Sequence, residues 1–141
     1  MKIEDVILFQ LDKTSKTAKQ YSQKEFDKLK MGITVEQWIL LKIINETNTL
    51  SQKELAEKSL RDPSSITRTL DILVKKTFVA RLPVPHNRRT YNIVLTKIGA
   101  EFIKKHIVIV EKHREKSIAG FSDSELKNLK SFLNRIENNM K

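Results

Sequence analysis

Three helix-start signals constrain the fold more than any other feature of this sequence. The capping-box pattern, Ser or Thr followed three residues later by Glu or Gln, occurs at Thr34, Ser51 and Ser122. In this pattern the hydroxyl accepts a hydrogen bond from a backbone N–H of the first turn, and the later side chain reaches back to the cap residue. Apolar residues at helical spacing follow each signal. Helices are therefore predicted at about residues 35–46, 52–59 and 123–138.

Three further helices follow from hydrophobic periodicity and from the positions of proline and glycine. Residues 3–29 carry apolar side chains at helical spacing. Asp62 is a favourable cap and Pro63 a favourable first helical residue, because an N–H at that position would have no partner within the helix. Residues 96–120 are predicted to form one long helix, in which Gly99 is tolerated at some cost.

A β-hairpin is predicted between the fourth and fifth helices. The segments FVARLPV, at residues 78–84, and TYNIVLT, at residues 90–96, have the composition of strands. A loop at about residues 83–89 joins them, and Pro83 and Pro85 stiffen it by fixing backbone angles.

The predicted fold class is mainly α with a small β-hairpin wing. Residues 34–96 form three helices and a hairpin, which is the plan of a winged helix-turn-helix. Helical segments at residues 1–30 and 97–141 flank this lobe. Because no internal repeat or low-complexity linker interrupts the sequence, residues 1–141 are predicted to form a single domain.

Positive charge is concentrated around the predicted hairpin. The net charge is +10, and residues 61–91 contain seven basic and two acidic side chains. Such a patch indicates a polyanionic partner, either nucleic acid or an anionic membrane surface. The alternative is a charged surface that serves only solubility. The charges cluster on a helix and a hairpin and not along one amphipathic face, which argues against a membrane-surface helix.

Composition and motifs exclude several classes of protein. No run of about 18 apolar residues occurs, and the N-terminal segment lacks the features of a signal peptide, so no membrane association is expected. The chain contains no cysteine, which excludes disulfides and makes the cytoplasm the expected location. It has no phosphate-binding loop, nucleophile-elbow or zinc-protease motif. The predictions are therefore no enzymatic activity, no catalytic residue, no metal and no cofactor.

The helix that begins at Pro63 has the features of a DNA-recognition helix. Its early turns carry small polar or basic side chains away from the apolar stripe, at Ser64, Ser65, Thr67 and Arg68. Small side chains let the backbone approach the major groove, and Arg68 can bond guanine or a phosphate. On the hairpin, Arg88 and Arg89 are predicted at the loop tip, where they would enter the neighbouring minor groove. The alternative for one of them is an ion pair that positions the loop.

A winged-helix module that binds protein or RNA instead of duplex DNA is the main alternative function. A protein-binding module should carry apolar anchors on its recognition helix, whereas the early turns here are polar and basic. Ile72 and Val74 lie off the apolar stripe, and we expect them to pack under the wing or at a dimer seam.

The sequence resembles the MarR family of bacterial transcriptional regulators over nearly its whole length. The similar stretches are GITVEQWILLKII, LSQKELAEKSLRDPSSITRTLDILVKKTFVAR and NRRTYNIVLTKIGAEF. The resemblance implies an obligate homodimer in which residues 1–30 and 97–141 interlock the two chains. It also implies binding to a pseudo-palindromic operator in double-stranded DNA by a repressor that a small aromatic or anionic effector releases. The recognition helix would carry Ser64, Ser65, Thr67 and Arg68, and the wing Arg88 and Arg89.

Two positions depart from the pattern of this family. The family usually has an aspartate where this chain has Asn87, a candidate DNA-binding residue that can accept a hydrogen bond but cannot form an ion pair with Arg89. The family also tends to have glycine at the position of Thr77, so the preceding helix is predicted to end differently or to bear strain.

The sequence does not identify a ligand-binding site. Four side chains are candidates to line an effector pocket: Tyr21, Trp38, His106 and His113. The alternative for the two larger aromatic residues is a core or dimer contact.

Overall fold

A computed structural model describes residues 1–47 and 49–141, with the backbone alone at Arg88. Asn48, which lies between the helices predicted at residues 35–46 and 52–59, is outside the described residues. The described residues form six α-helices and one antiparallel sheet of three strands. They divide into two compact units, Met1–Ile107 and Val108–Lys141.

The helices follow the predicted order. They are α1 (Ile7–Lys28), α2 (Val35–Glu46), α3 (Gln52–Ser59), α4 (Pro63–Lys75), α5 (Lys97–Ser117) and α6 (Asp123–Met140). The predicted start of the first helix was wrong. Ile3–Asp5 form a 3-10 turn and Val6 is extended, because the first N–H groups find carbonyl partners three residues back.

All three predicted capping boxes form. The Thr34 hydroxyl accepts from the backbone N–H of Gln37 at 3.1 Å, and the Gln37 side chain accepts from the backbone N–H of Thr34 at 3.1 Å. The same reciprocal pairs occur at the other two sites, Ser51 with Glu54 and Ser122 with Glu125. In both, the backbone N–H of the serine donates to the carboxylate and lowers the pKa of the glutamate below its ordinary 4.5.

The core of the first unit lies between α2, α3, α4 and the sheet. The stripe predicted on α4, Ile66, Leu70 and Leu73, is completely buried. Trp38 on α2 packs edge-on against Phe26 on α1, with ring centroids 6.3 Å apart. This packing ties the end of α1 to the winged-helix core.

The sheet has one strand more than predicted. Its strands are β1 (Leu50–Ser51), β2 (Val79–Val84) and β3 (Asn87–Leu95), in the order β1-β3-β2. The short link before α3 pairs with β3, and buried Leu50 lies opposite buried Ile93. A two-residue strand has no periodicity of its own, so only burial of its apolar side chain against β3 defines it.

The hairpin turn is much tighter than predicted. Pairing extends to Val84 opposite Asn87, which leaves Pro85 and His86 in the turn. The predicted loop at residues 83–89 was therefore wrong. Proline at the first central position and φ of +66° at His86 are typical of a type II turn. The other proline of the segment is accommodated because β2 is an edge strand.

Helix α4 ends at a left-handed residue. Thr77 has φ of +66°, and the N–H of Phe78 donates to the carbonyl of Leu73 at 3.0 Å. This geometry closes the helix in the manner of a Schellman motif, in which glycine is the usual left-handed residue. Of the two alternatives predicted at Thr77, the different helix end does not occur, and the positive φ of a β-branched residue agrees with backbone strain.

Candidate nucleic-acid interface

The start of α4 presents a polar face to solvent. Asp62 caps the helix by accepting from the backbone N–H of Ser65 at 2.9 Å, and Pro63 occupies the first turn. Ser64, Thr67 and Arg68 are all exposed. Their i, i+3, i+4 spacing puts the three side chains on one side of the helix, as the sequence predicts.

Ser65 differs from the other predicted contacts of α4. Its side chain is half-buried, and its hydroxyl accepts a hydrogen bond from Nη2 of Arg61. The same nitrogen donates to the hydroxyl of buried Thr69 at 3.0 Å. The structure therefore does not bring Ser65 onto the exposed face. The i, i+4, i+8 spacing of the three residues is the sequence signal that identifies this cluster.

The first turn of α3 contributes a polar side chain that sequence reasoning missed. Nε2 of Gln52 donates to Oγ1 of Thr67 at 2.7 Å, and Oγ1 of Thr67 donates to the carbonyl of Pro63 at 3.0 Å. These bonds fix the rotamer of an exposed threonine on the recognition helix. Gln52 is therefore part of the candidate interface.

The predicted arginine pair lies on a strand and not at the hairpin tip. Arg88 and Arg89 belong to β3, after the turn at Pro85 and His86. The side chain of Arg89 is exposed, whereas that of Arg88 lies outside the described part of the chain. The register shifts between the pairs Pro83–Tyr91 and Val84–Asn87, so the two arginines lie in an irregular part of β3 beside the turn, and the predicted tip position was wrong.

Asn87 takes the first position of β3. Its Oδ1 accepts from the backbone N–H of Arg89 at 3.1 Å. An amide oxygen therefore holds the backbone beside the turn, which is the hydrogen-bond capacity that the sequence predicts for asparagine at this position.

An ion pair connects the hairpin to α4. Nη2 of Arg81 on β2 lies 2.6 Å from Oδ1 of Asp71 on α4, and the Arg81 side chain is only 24% exposed. In the sequence this arginine is one more positive charge of the patch. In the structure it braces β2 against α4.

A cleft of about 780 Å³ separates the hairpin from the two helices of the helix-turn-helix. Gln52 and Lys53 of α3 line it, together with Pro63 at the start of α4. Arg89 and Tyr91 of β3 form the opposite wall. The cleft thus lies between α3 and the hairpin, and Pro63 is the lining residue that α4 contributes.

The four effector candidates differ in burial and in location. Trp38 is 3% exposed and lies 6.4 Å from the ring of Phe102, so it is a core residue. His106 stacks on Phe102 at 4.3 Å, whereas Tyr21 is at the surface of α1 and His113 belongs to the second unit. Among residues 1–47 and 49–141, no group of three His, Asp or Glu side chains is arranged to hold a metal ion.

The fold is similar to that of two solved regulators. A TM-score of 0.84 relates it to a cysteine-to-serine mutant of MarR from E. coli, complexed with operator DNA, at 22% identity over 96% of this chain and 98% of that one. A TM-score of 0.86 relates it to MepR of S. aureus in a DNA complex, at 20% identity over 95% and 98% of the two chains. The predicted winged-helix fold class is confirmed.

The sequence itself is also similar to known proteins. YhbI of Bacillus subtilis, named as an HTH-type transcriptional regulator, is 37% identical over 76 residues, which are 54% of this chain and 49% of that protein. The alignment thus spans about half of the length of this curated relative. Residues 33–91, from the start of α2 to the middle of β3, match the model of the MarR family. This segment of the chain is therefore similar to the MarR family.

Proposed function

We propose that this protein is a homodimeric regulator of transcription that binds specific sites in duplex DNA through residues 34–96. One observation carries the proposal: the exposed face of α4, with Ser64, Thr67 and Arg68, lies in the same compact unit as a hairpin with an exposed arginine. An α-helix fits the major groove, and a basic hairpin beside it fits the adjacent minor groove. The E. coli and S. aureus proteins of this fold are in complex with DNA.

The cleft between the hairpin and the helix-turn-helix supports the same assignment. If α4 occupies the major groove and the hairpin the next minor groove, we propose that the sugar-phosphate strand between those grooves passes along this cleft, beside the start of α4. Lys53 and Arg89 line it and bring positive charge to that strand. We therefore assign Ser64, Thr67, Arg68, Arg88 and Arg89 to direct DNA contact, and Ser65 and Asn87 to positioning.

Exposed apolar side chains support a homodimer. Helix α6 has no buried residue among its 18, although one stripe of it is apolar: Leu126, Leu129, Leu133, Ile136 and Met140. On the N-terminal segment, Ile3, Ile7 and Leu8 are each more than half exposed. An apolar stripe of this kind needs a covering partner, and we propose a second copy of the chain. The segments 1–30 and 97–141 then form the dimerisation region of a single functional domain.

The finer parts of the proposal are repression and release by a small aromatic or anionic effector. They rest on the resemblance to the MarR family. A two-fold dimer with one recognition helix per chain predicts a pseudo-palindromic operator whose half-sites lie about 10 bp apart.

In the part of the chain that the structure describes, no helix is long and apolar enough to cross a membrane.

A protein partner for the same lobe is the second candidate. Leu60 is 92% exposed in the turn between α3 and α4, and Ile72, Leu82 and Tyr91 are each at least 40% exposed. Apolar groups on a recognition lobe are typical of protein-binding surfaces.

Selection of duplexes from a random DNA library by the purified protein distinguishes the two candidates. We expect enrichment of one two-fold symmetric site at near-physiological salt, and light scattering should give the mass of a dimer. Binding without any enriched sequence, and lost as salt rises, would reflect charge alone. That result would reject sequence-specific DNA binding and favour the protein partner.

A further inference from the structure

The turn between α3 and α4 contains a partly buried arginine that contacts two other elements. The side chain of Arg61 is 20% exposed. Its Nη2 donates to the hydroxyls of Ser65 and Thr69, which lie on consecutive turns of α4. Its Nε lies 3.9 Å from Oε2 of Glu36, in the first turn of α2. One side chain thus joins α2 to the early turns of the recognition helix.

Glu36 extends this network to α1. Its Oε1 lies 2.9 Å from Nζ of Lys19, while its other carboxylate oxygen faces Arg61. The carboxylate is therefore shared between a cation on the long N-terminal helix and a cation that holds α4. This arrangement links three helices of the first unit through charged and hydrogen-bonded groups.

The acceptors on α4 leave Arg61 little freedom. Thr69 is 7% exposed, and its hydroxyl also donates to the carbonyl of Ser65 at 3.1 Å. The Nη1 atom of Arg61 is buried and has no hydrogen-bond partner in the described part of the chain. A guanidinium stays charged in proteins, and its planar donors require a fixed geometry. The bonds that Arg61 does make therefore hold α4 in one orientation.

We propose that Arg61 is a positioning residue that sets the rotation of α4 about its own axis, and with it the sequence preference of the DNA-binding face. The inference rests on the proposed function. Ser65 and Thr69 directly follow the exposed Ser64 and Arg68, so one rotation moves all four. For a helix of about 5–6 Å radius including side chains, a rotation of about 20° displaces the exposed groups by about 2 Å. That exceeds the tolerance of a hydrogen bond to a base edge.

The test compares Arg61→Gln and Glu36→Gln with the unchanged protein. Fluorescence anisotropy gives the affinity of each for the selected duplex and for a shuffled duplex over a range of salt concentrations. We expect both variants to lower the ratio of the two affinities about tenfold, the size of losing one base contact. The salt slope should stay unchanged in both.

Glu36→Gln is the sharper variant because its electrostatic effect has the opposite sign. Removing an acid should strengthen binding to every duplex if charge alone acts, whereas a positioning role weakens the preferred duplex selectively. Lys104→Ala is the control for charge. It removes one positive charge from an exposed position on α5, and the ratio of affinities should not change.

Equal loss on both duplexes, with a salt slope lower by about one, would make Arg61 a phosphate contact and overturn the inference. An unchanged protein that prefers neither duplex would reject the proposed function as well.

If circular dichroism shows that Arg61→Gln does not fold, Ser65→Ala and Glu36→Gln are combined instead. If both residues act through one network, the double variant lowers the ratio of affinities by less than the product of the two single-variant losses. A full product would mean that Ser65 contacts DNA directly, and the positioning role would be wrong.

Discussion

At the scale of single residues, the hydroxyl groups on α4 serve two different ends. Ser64 and Thr67 face solvent, whereas Ser65 and Thr69 accept hydrogen bonds from Arg61. The sequence shows only that these four residues are polar and lie off the apolar stripe of α4. It does not distinguish a hydroxyl that faces DNA from one that faces an arginine of the same chain, because the arginine comes from the preceding turn.

Arg68 is the residue of α4 best suited to read a base. We expect Arg68→Ala to cost about 1–3 kcal/mol of binding free energy at one base pair of the operator and to relax the preference there, because a bidentate contact with guanine is lost. Binding to a set of operators with single base changes measures this. Equal weakening on every sequence would instead assign Arg68 to a phosphate.

Thr77 carries backbone strain that a glycine would remove. We expect Thr77→Gly to raise the free energy of unfolding by about 1 kcal/mol, since the left-handed conformation costs other L-residues about 1–2 kcal/mol, partly offset by the flexibility of glycine in the unfolded chain. Urea unfolding followed by circular dichroism measures the change. The control is Thr17→Gly in the middle of α1, where glycine should destabilise. A less stable Thr77→Gly protein would contradict the inference that the backbone is strained at Thr77.

At the scale of secondary-structure elements, the close approach of α5 to the end of α4 explains why a glycine is needed at position 99. A Cβ atom at this position would lie 2.2 Å from the carbonyl oxygen of Phe78 and 2.9 Å from Cδ1 of Leu95. The sequence indicates only that a glycine near a helix start carries some cost. The tertiary structure makes glycine necessary there, because the helix packs directly against a backbone carbonyl.

Gly99→Ala should therefore destabilise the protein although alanine is the better helix former. We expect a loss of about 1–3 kcal/mol in the free energy of unfolding, the usual range for overpacking. Glu101→Ala, at an exposed position in the same turn, is the control and should change stability by less than about 0.5 kcal/mol. Chemical unfolding compares the two. A more stable Gly99→Ala protein would mean that helix propensity outweighs the close contact.

The hairpin is the other element with a direct test. We expect Arg88→Ala combined with Arg89→Ala to weaken binding to all sequences and to lower the salt slope by up to about 2, because each lost phosphate contact removes about one. A salt titration of DNA binding measures the slope. An unchanged slope would mean that the hairpin arginines do not contact the DNA phosphates.

At the scale of the whole molecule, each unit leaves apolar surface that the single chain does not cover. Helix α6 lies in the second unit, and the exposed N-terminal residues lie in the first. The similarity to YhbI, an HTH-type transcriptional regulator, agrees with the prediction that the chain is not an enzyme.

Leu129→Glu tests the proposed dimer. Leu129 is 45% exposed at the centre of the apolar stripe of α6. A charge there would be buried without a partner in a dimer, so we expect light scattering to show dissociation at concentrations where the unchanged protein is dimeric. Asn134→Glu adds the same charge on another side of α6 and should leave the dimer intact. Dissociation by both variants, or by neither, would contradict an interface at this stripe.

The sequence alone determined the helices, their caps and the candidate recognition helix, because these depend on residues within about four positions of one another. Asp62, Pro63 and the stripe Ile66, Leu70 and Leu73 are enough to define α4. The tertiary structure decided the third strand, the tight turn at Pro85 and His86, and the partners of Arg61 and Arg81. The third strand and the Arg61–Glu36 pair depend on contacts between residues distant in sequence, and the turn depends on how far strand pairing extends. The spacing of Ser65 and Thr69 after Arg61 is local, but only the fold shows that the arginine turns toward them. The fold likewise separates the exposed Ser64 from Ser65, which Arg61 holds.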